Sequence, residues 1–196
     1  MVRAFDSFKD LGDGERGERK RLAICGILWC EKVIMKRIGV LSDTHLSVPD
    51  KRLDRIVERY FSGVDIFVHA GDVVSLPILD CLYATGKEVI AVSGNMDLRE
   101  IEHAFPTKRI LEIEDVRIGI IHGWGPPHGI RAWIKESFEH VDAIIYGHTH
   151  QGFSGFEDGI LFFNPGAPLD SRFTTVNSIG IMEIDGKNMR GELIPL

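Results

Sequence analysis

The chain has 196 residues, 44% of them hydrophobic and 27% charged, a balance that fits one soluble globular domain with room for an appendage. Its net charge is −6 and its longest basic run is Arg19-Lys20-Arg21, which argues against a surface that grips double-stranded nucleic acid by its phosphates. Cys25, Cys30 and Cys81 are odd in number and lack Cys-x-x-Cys spacing, so a reducing cytoplasm is expected rather than a disulfide framework, and no apolar run approaches the ~18 residues of a membrane span.

Residues 1–21, MVRAFDSFKDLGDGERGERKR, are polar and glycine-containing and predict little fixed structure. LAICGILWC follows the basic triplet as the apolar part of a signal peptide would, but Glu31 and Lys32 stand where a small-residue cleavage site belongs. From Met35 the sequence reads as a complete domain start. The expectation is an extension over 1–34 that the chemistry does not need, and one domain over 35–196. A short helix packing Ile24, Ile27 and Leu28 onto that domain is the alternative.

RIGVLSDTH (37–45) predicts a buried strand that ends on Asp43 and His45. Their two-residue spacing puts both side chains on one side of an extended chain, where they could bind a metal, hydrogen-bond to each other or cap the next element. Leu53, Ile56, Val57, Tyr60 and Phe61 recur at helical spacing and predict an amphipathic helix over 50–61. DIFVHAGD (65–72) is a short strand ending in Asp72. Residues 75–85 read as a helix with Pro77 in its first turn and Gly86 just past its end. EVIAVSGNMD (88–97) is a third strand whose end carries Asn95 and Asp97. This βαβαβ order implies parallel strands with right-handed crossovers.

Hairpins then take over. Residues 109–123 turn near Glu114-Asp115 and finish at His122, and Ile130, Trp133, Ile134 and Phe138 mark another amphipathic helix. DAIIYGHTH (142–150) is a strand ending in His148 and His150. Two further hairpins turn at Asp158-Gly159 and Asp185-Gly186. The pattern predicts an α/β fold of two mixed sheets packed face to face with helices outside.

The strand ends in order are Asp43 and His45, Asp72, Asn95, His122, His148 and His150, and Asn164. In open α/β sheets ligands bind beyond the carboxyl ends of the strands. Six successive strand ends delivering metal-competent atoms exceed what turn chemistry explains, so Asp43 and His45 read as metal ligands.

The motifs DTH (43–45), GD (71–72), GNMD (94–97), HG (122–123) and GHTH (147–150) resemble the signature of calcineurin-like metallophosphoesterases, and most of all their small bacterial and archaeal phosphodiesterase branch, which also has an Asn-Pro-Gly after the last motif, here 164–166. The resemblance spans Met35 to Leu196 and implies a four-layer α/β/β/α sandwich. It implies a binuclear site in which Asp43, His45 and His150 hold one ion, Asn95, His122 and His148 the other, and Asp72 bridges. Two divalent ions, Mn²⁺ first and Fe²⁺, Co²⁺, Ni²⁺ or Zn²⁺ as alternatives, suit these N/O donors and would activate a water for attack on a small phosphodiester. The implied catalytic groups are Asp72 and Asn95, with Asn95 also touching substrate.

This chain departs from the family in three places. Met96 stands where many relatives have a leaving-group acid, or the branch a Cys; Trp124 stands in place of a His, and Ala167 in place of a Ser. His128 is the candidate substitute acid, weighed against a surface or helix-start role, and Arg172 a candidate phosphate clamp, weighed against a solvated arginine. Asp97 reads as a partner orienting a ligand histidine or as the cap of a helix over 98–104. His69 reads as a hydrogen-bonded core residue, His103 and His140 as surface positions, and Trp124 as a base-stacking group or a cleft wall.

The competing functions are a phosphomonoesterase, a non-catalytic scaffold of the same fold such as the retromer subunit, and a nucleotide-binding regulatory module. The last lacks a phosphate-cradling glycine loop before a helix. Seven converging donors favour the enzyme over the scaffold, because desolvating them together without metal is costly. A homo-oligomer is allowed for.

Overall fold

The computed structural model describes residues 35–196, so the expectation for residues 1–34 lies outside the described residues. The first sheet is built from β1 (Lys36–Leu41), β2 (Ile66–His69), β3 (Glu88–Ala91), β9 (Ser178–Asp185) and β10 (Asn188–Pro195), in the order β10-β9-β1-β2-β3. The second contains β4 (Lys108–Ile113), β5 (Val116–Ile121), β6 (Ala143–Ile145), β7 (Phe153–Glu157) and β8 (Ile160–Asn164), in the order β4-β5-β6-β8-β7. Both are mixed. β1, β2 and β3 run parallel in one, β5, β6 and β8 in the other, and the hairpin strands run antiparallel at the edges.

Alternation along the strands sorts their side chains into separate layers. Ile38, Val40, Val68 and Ile90 of the first sheet meet Ile118, Ile120, Ile145 and Phe163 of the second, forming the central core. The opposite face of the first sheet offers Leu41, Phe67 and Ala91 to the helices α1 (Lys51–Tyr60) and α2 (Asp80–Tyr83). The outer face of the second sheet packs Ile121, Ile144 and Phe162 against α4 (Ile130–Lys135). This is the four-layer α/β/β/α sandwich.

The predicted helix over 50–61 forms with Asp50 as its cap, whose carboxylate accepts the Arg52 N–H at 2.8 Å. The helix expected over 75–85 divides into a 3₁₀ turn, Leu76–Leu79, followed by α2, with Pro77 at the start of the turn. The helix expected around 130–138 ends at Lys135. Phe138 lies beyond it and covers Gly119, where even a methyl group would meet the ring at 2.9 Å. The parallel pairing matters most for function: it brings the carboxyl ends of β1, β2 and β3, and those of β5, β6 and β8, to one rim.

Candidate metal centre

The loops leaving that rim turn sharply. Asp43, His45, Asp72, His148 and His150 all have left-handed backbones, with φ of 52°, 49°, 54°, 68° and 58°. Each such residue costs ~1 kcal/mol or more relative to a right-handed conformation. Five strained non-glycine residues whose side chains meet at one place form a constellation that the surrounding fold holds against local preference. Gly94 sits so close beneath Asp72 that any side chain there would overlap its carboxylate. A methyl at Gly147 would stand 2.8 Å from Asp43 Oδ2.

At the middle lie two carboxylates. Asp43 Oδ1 is 3.4 Å from His150 Nε2, 3.8 Å from His45 Nε2 and 3.9 Å from His122 Nε2. Asp72 Oδ2 is 3.2 Å from His122 Nε2 and 3.5 Å from His45 Nε2. His45 Nε2 and His150 Nε2 face each other at 3.1 Å, and His148 Nδ1 faces Asn95 Oδ1 at 2.9 Å. Donors set at right angles around an ion ~2.1 Å away stand about 3 Å apart, so these spacings fit shared coordination. Asp43, His45 and His150 form one group able to hold a metal ion, and Asp43, Asp72 and His122 form a second.

Tautomers support the same reading. His122 Nδ1 lies 2.8 Å from the Ala70 carbonyl, so it donates there and directs Nε2, buried and without a hydrogen-bond partner, at the carboxylates. His148 Nε2 lies 2.8 Å from the Gly125 carbonyl, leaving Nδ1 to face Asn95.

Burial dominates the electrostatics. It pushes the Asp43 carboxyl up to about 7. Burial also opposes charging His122, but the Asp72 and Asp43 carboxylates outweigh it and carry the imidazole up to about 9. Burial, with His45 beside it, takes His150 down to about 4. The neutral imidazoles of His45 and His150 and the ionised Asp72 are the forms a cation binds.

Several expectations are refined. Asn164 delivers no ligand atom; its amide Nδ2 donates to the Gly147 carbonyl and to Thr149 Oγ1, bracing the loop of His148 and His150. Asp97 does not cap the following helix, α3 (Arg99–Ala104), which is preceded by Leu98. Its carboxylate accepts the N–H groups of Val74 at 2.5 Å and Gly94 at 2.7 Å, tying the Asp72 loop to the Asn95 loop. His69 is a core residue, 3.3 Å from Thr44 Oγ1, and His103 and His140 are exposed.

A cavity of about 850 Å³ between α1 and α2 is lined by Leu53, Val57, Phe61 and Cys81 and by none of the seven donors. Five of those donors, His45, Asp72, Asn95, His148 and His150, line another cavity of about 450 Å³. Met96 and Arg172 also line it; His128 does not, and is exposed in its loop.

The sequence reading missed Asp170. Its Oδ2 stands 3.4 Å from His150 Nδ1 and 3.8 Å from His45 Nε2, and Arg172 grips the carboxylate through Nε and Nη2 at 2.6–3.0 Å. That grip pulls Asp170 down to about 2. The only signal was an acid two residues before Arg172 in PLDSRF.

Residues 35–187 match the calcineurin-like phosphoesterase superfamily domain. The chain belongs to that superfamily. It is 41% identical over 162 residues to "Probable metallophosphoesterase MJ0623" of Methanocaldococcus jannaschii, covering 81% of each protein. A solved structure described as a novel archaeal phosphodiesterase superposes with a TM-score of 0.63 at 27% identity, covering 81% of this chain and 99% of that one. Zinc-complexed Vps29 of Entamoeba histolytica superposes with a TM-score of 0.61 at 22% identity, over 81% of this chain and 98% of its own, a likeness of fold alone. The chain is thus a calcineurin-like metallophosphoesterase with candidate metal-binding residues gathered at one rim of the sandwich.

Proposed function

We propose that this metallophosphoesterase is a phosphodiesterase with a two-metal centre. Asp43, His45 and His150 would hold one ion and Asn95, His122 and His148 the other, with Asp72 available to both. The observation that carries the proposal is the convergence of donor atoms, His45 Nε2 with His150 Nε2 at 3.1 Å and His148 Nδ1 with Asn95 Oδ1 at 2.9 Å, around the Asp43 and Asp72 carboxylates. Burying Asp43, Asp72, His122 and His150 together is costly unless a cation lies among them.

When bound, the ions supply Lewis acidity toward a phosphoryl oxygen and an acidified water nucleophile. The donor set of nitrogens and oxygens suits Mn²⁺. The chain's own contributions are positional. The Met96 N–H donates to Asp72 Oδ1 at 2.8 Å and the Ser42 hydroxyl donates to Asp43 Oδ2 at 2.5 Å, each fixing a carboxylate. Asn95 lines the cavity, and its amide offers an oxygen suited to a metal and N–H groups suited to an ester oxygen. Arg172 uses its Nε–Nη2 edge on Asp170, which leaves its Nη1–Nη2 edge for a phosphate.

A small phosphodiester is the favoured substrate because Met96, with no proton to donate, lines the cavity where a leaving group departs. Cytoplasmic residence is part of the proposal, supported by three cysteines without close-spaced pairing. Hydrolysis of bis(p-nitrophenyl) phosphate and p-nitrophenyl phosphate with added Mn²⁺ tests the function. Faster diester turnover is expected. Preferential monoester turnover, or a protein that binds no divalent metal, overturns it.

A further inference from the structure

A second cavity of about 820 Å³ adjoins the metal centre, and the proposed reaction as stated gives it no task. It shares Asn95 with the 450 Å³ cavity and has His122 in its wall, so the two cavities meet at the metal centre. Its apolar walls are Phe105, Pro106 and Trp124, and its polar groups include Glu102 and Lys108. Around the two cavities Met96, Trp124 and Phe173 are 54%, 50% and 64% exposed. Large apolar side chains left in water around a polar centre mark a surface that something apolar covers.

Trp124 is tied to the chemistry through its own loop. The carbonyl of the next residue, Gly125, accepts His148 Nε2 at 2.8 Å, so the segment bearing the indole is anchored to a proposed ligand. Phe105 is anchored from the other side, its N–H bonded to the Ile101 carbonyl at the end of α3. Two aromatic residues on separate, fixed loops, with an acid and a base in the same cavity, suit a planar ring with hydrogen-bonding edges better than an alkyl chain.

We propose that the cleft is two-lobed and takes one ester substituent of a phosphodiester in each lobe, with a heteroaromatic, nucleoside-type substituent against Phe105 and Trp124 and the smaller substituent beside Met96 and Phe173. The inference rests on the phosphodiesterase reading above and specifies its substrate class. A monoester has only one substituent and leaves one lobe wet.

The test compares two diesters with the same leaving group, thymidine 5′-(p-nitrophenyl) phosphate and methyl p-nitrophenyl phosphate, on the full chain with Mn²⁺. The thymidine ester should have a kcat/KM at least about tenfold higher, the worth of one stacked base. Trp124→Ala and Phe105→Ala should each erase most of that ratio through KM while leaving the methyl ester within about twofold, as loss of substrate binding requires. Equal losses on both esters, or no loss on either, overturn the inference while leaving a phosphodiesterase. If neither diester is hydrolysed, the functional reading fails, and calorimetric binding of thymidine monophosphate decides the lobe on its own. Weakening of about tenfold in Trp124→Ala supports it, and unchanged or absent binding overturns it.

Discussion

Asp170 faces His150 across 3.4 Å, carboxylate Oδ2 to imidazole Nδ1, on the side of the ring opposite the metal centre. His150 Nδ1 is buried without a hydrogen-bond partner of good alignment, and Asp170 is the acceptor positioned to take its proton. A carboxylate behind a ligand imidazole fixes the ring's orientation and raises its basicity. Asp170→Asn should therefore weaken the ion held by Asp43, His45 and His150 by about 10- to 100-fold while sparing the other. A competitive metal titration with a chromophoric chelator reads this directly, and equal weakening of both ions contradicts the role. Arg172→Ala, which releases the carboxylate, should reproduce part of the effect.

Asp72 and His150 should differ in how much they take with them. Asp72 Oδ2 lies within 3.5 Å of histidines from both proposed sites, whereas His150 belongs to one. Elemental analysis should find about two ions per parent chain, about one after His150→Ala, and fewer still after Asp72→Ala. An Asp72→Ala protein with full metal content would remove that residue from the centre.

Burial holds the neutral imidazole of His69 down to about 3. Once unfolded it titrates near 6.5, so between about pH 6.5 and 3 the unfolded chain binds a proton that the folded chain refuses. Stability then falls as pH drops through that window, by up to about 1.4 kcal/mol per pH unit for this residue. His69→Gln cannot titrate, and urea unfolding from pH 7 to 4 should show a slope shallower by that amount. An unchanged slope would mean that His69 takes its proton while folded.

Met96 is half exposed beside Asp72 and offers the departing oxygen no proton. A positioned acid contributes ~10²–10⁴-fold, most for basic leaving groups. The rate should fall steeply as leaving-group pKa rises, and Met96→Ala should hardly change the hydrolysis of an activated aryl diester. His128→Ala should be silent for every leaving group, since that imidazole lies outside the cavity lining. A selective loss on alkyl esters in His128→Ala would restore it as the acid.

What the sequence made legible was whatever is periodic or sits at a strand end. Alternation along β1, β2 and β5 announced the layers, and Asp43, His45, Asp72, His122, His148 and His150 stood out because parallel strands deposit their ends at one rim. Asp170 did not, because it reaches His150 from an irregular loop whose course depends on packing between β8 and β9. Asp97 was misread for a related reason. A carboxylate just before a helix looks like its cap, and only the tertiary approach of Val74 and Gly94 diverts it. The second cavity was half hidden: Trp124 read as a base-stacking group or a cleft wall, but nothing in the sequence placed Phe105 in the same cavity.

Asn164 closes β8 by donating to Gly147 and Thr149 while its Oδ1 accepts the N–H of Gly166. One side chain thus stitches the loop that carries His150 to the start of the loop that carries Asp170. The two segments form a single mechanical part, and evolution or engineering must exchange them together. A chimera that imports only 147–150 from a relative, or only 164–172, breaks the seam. One that imports 147–172 whole carries its own alignment with it.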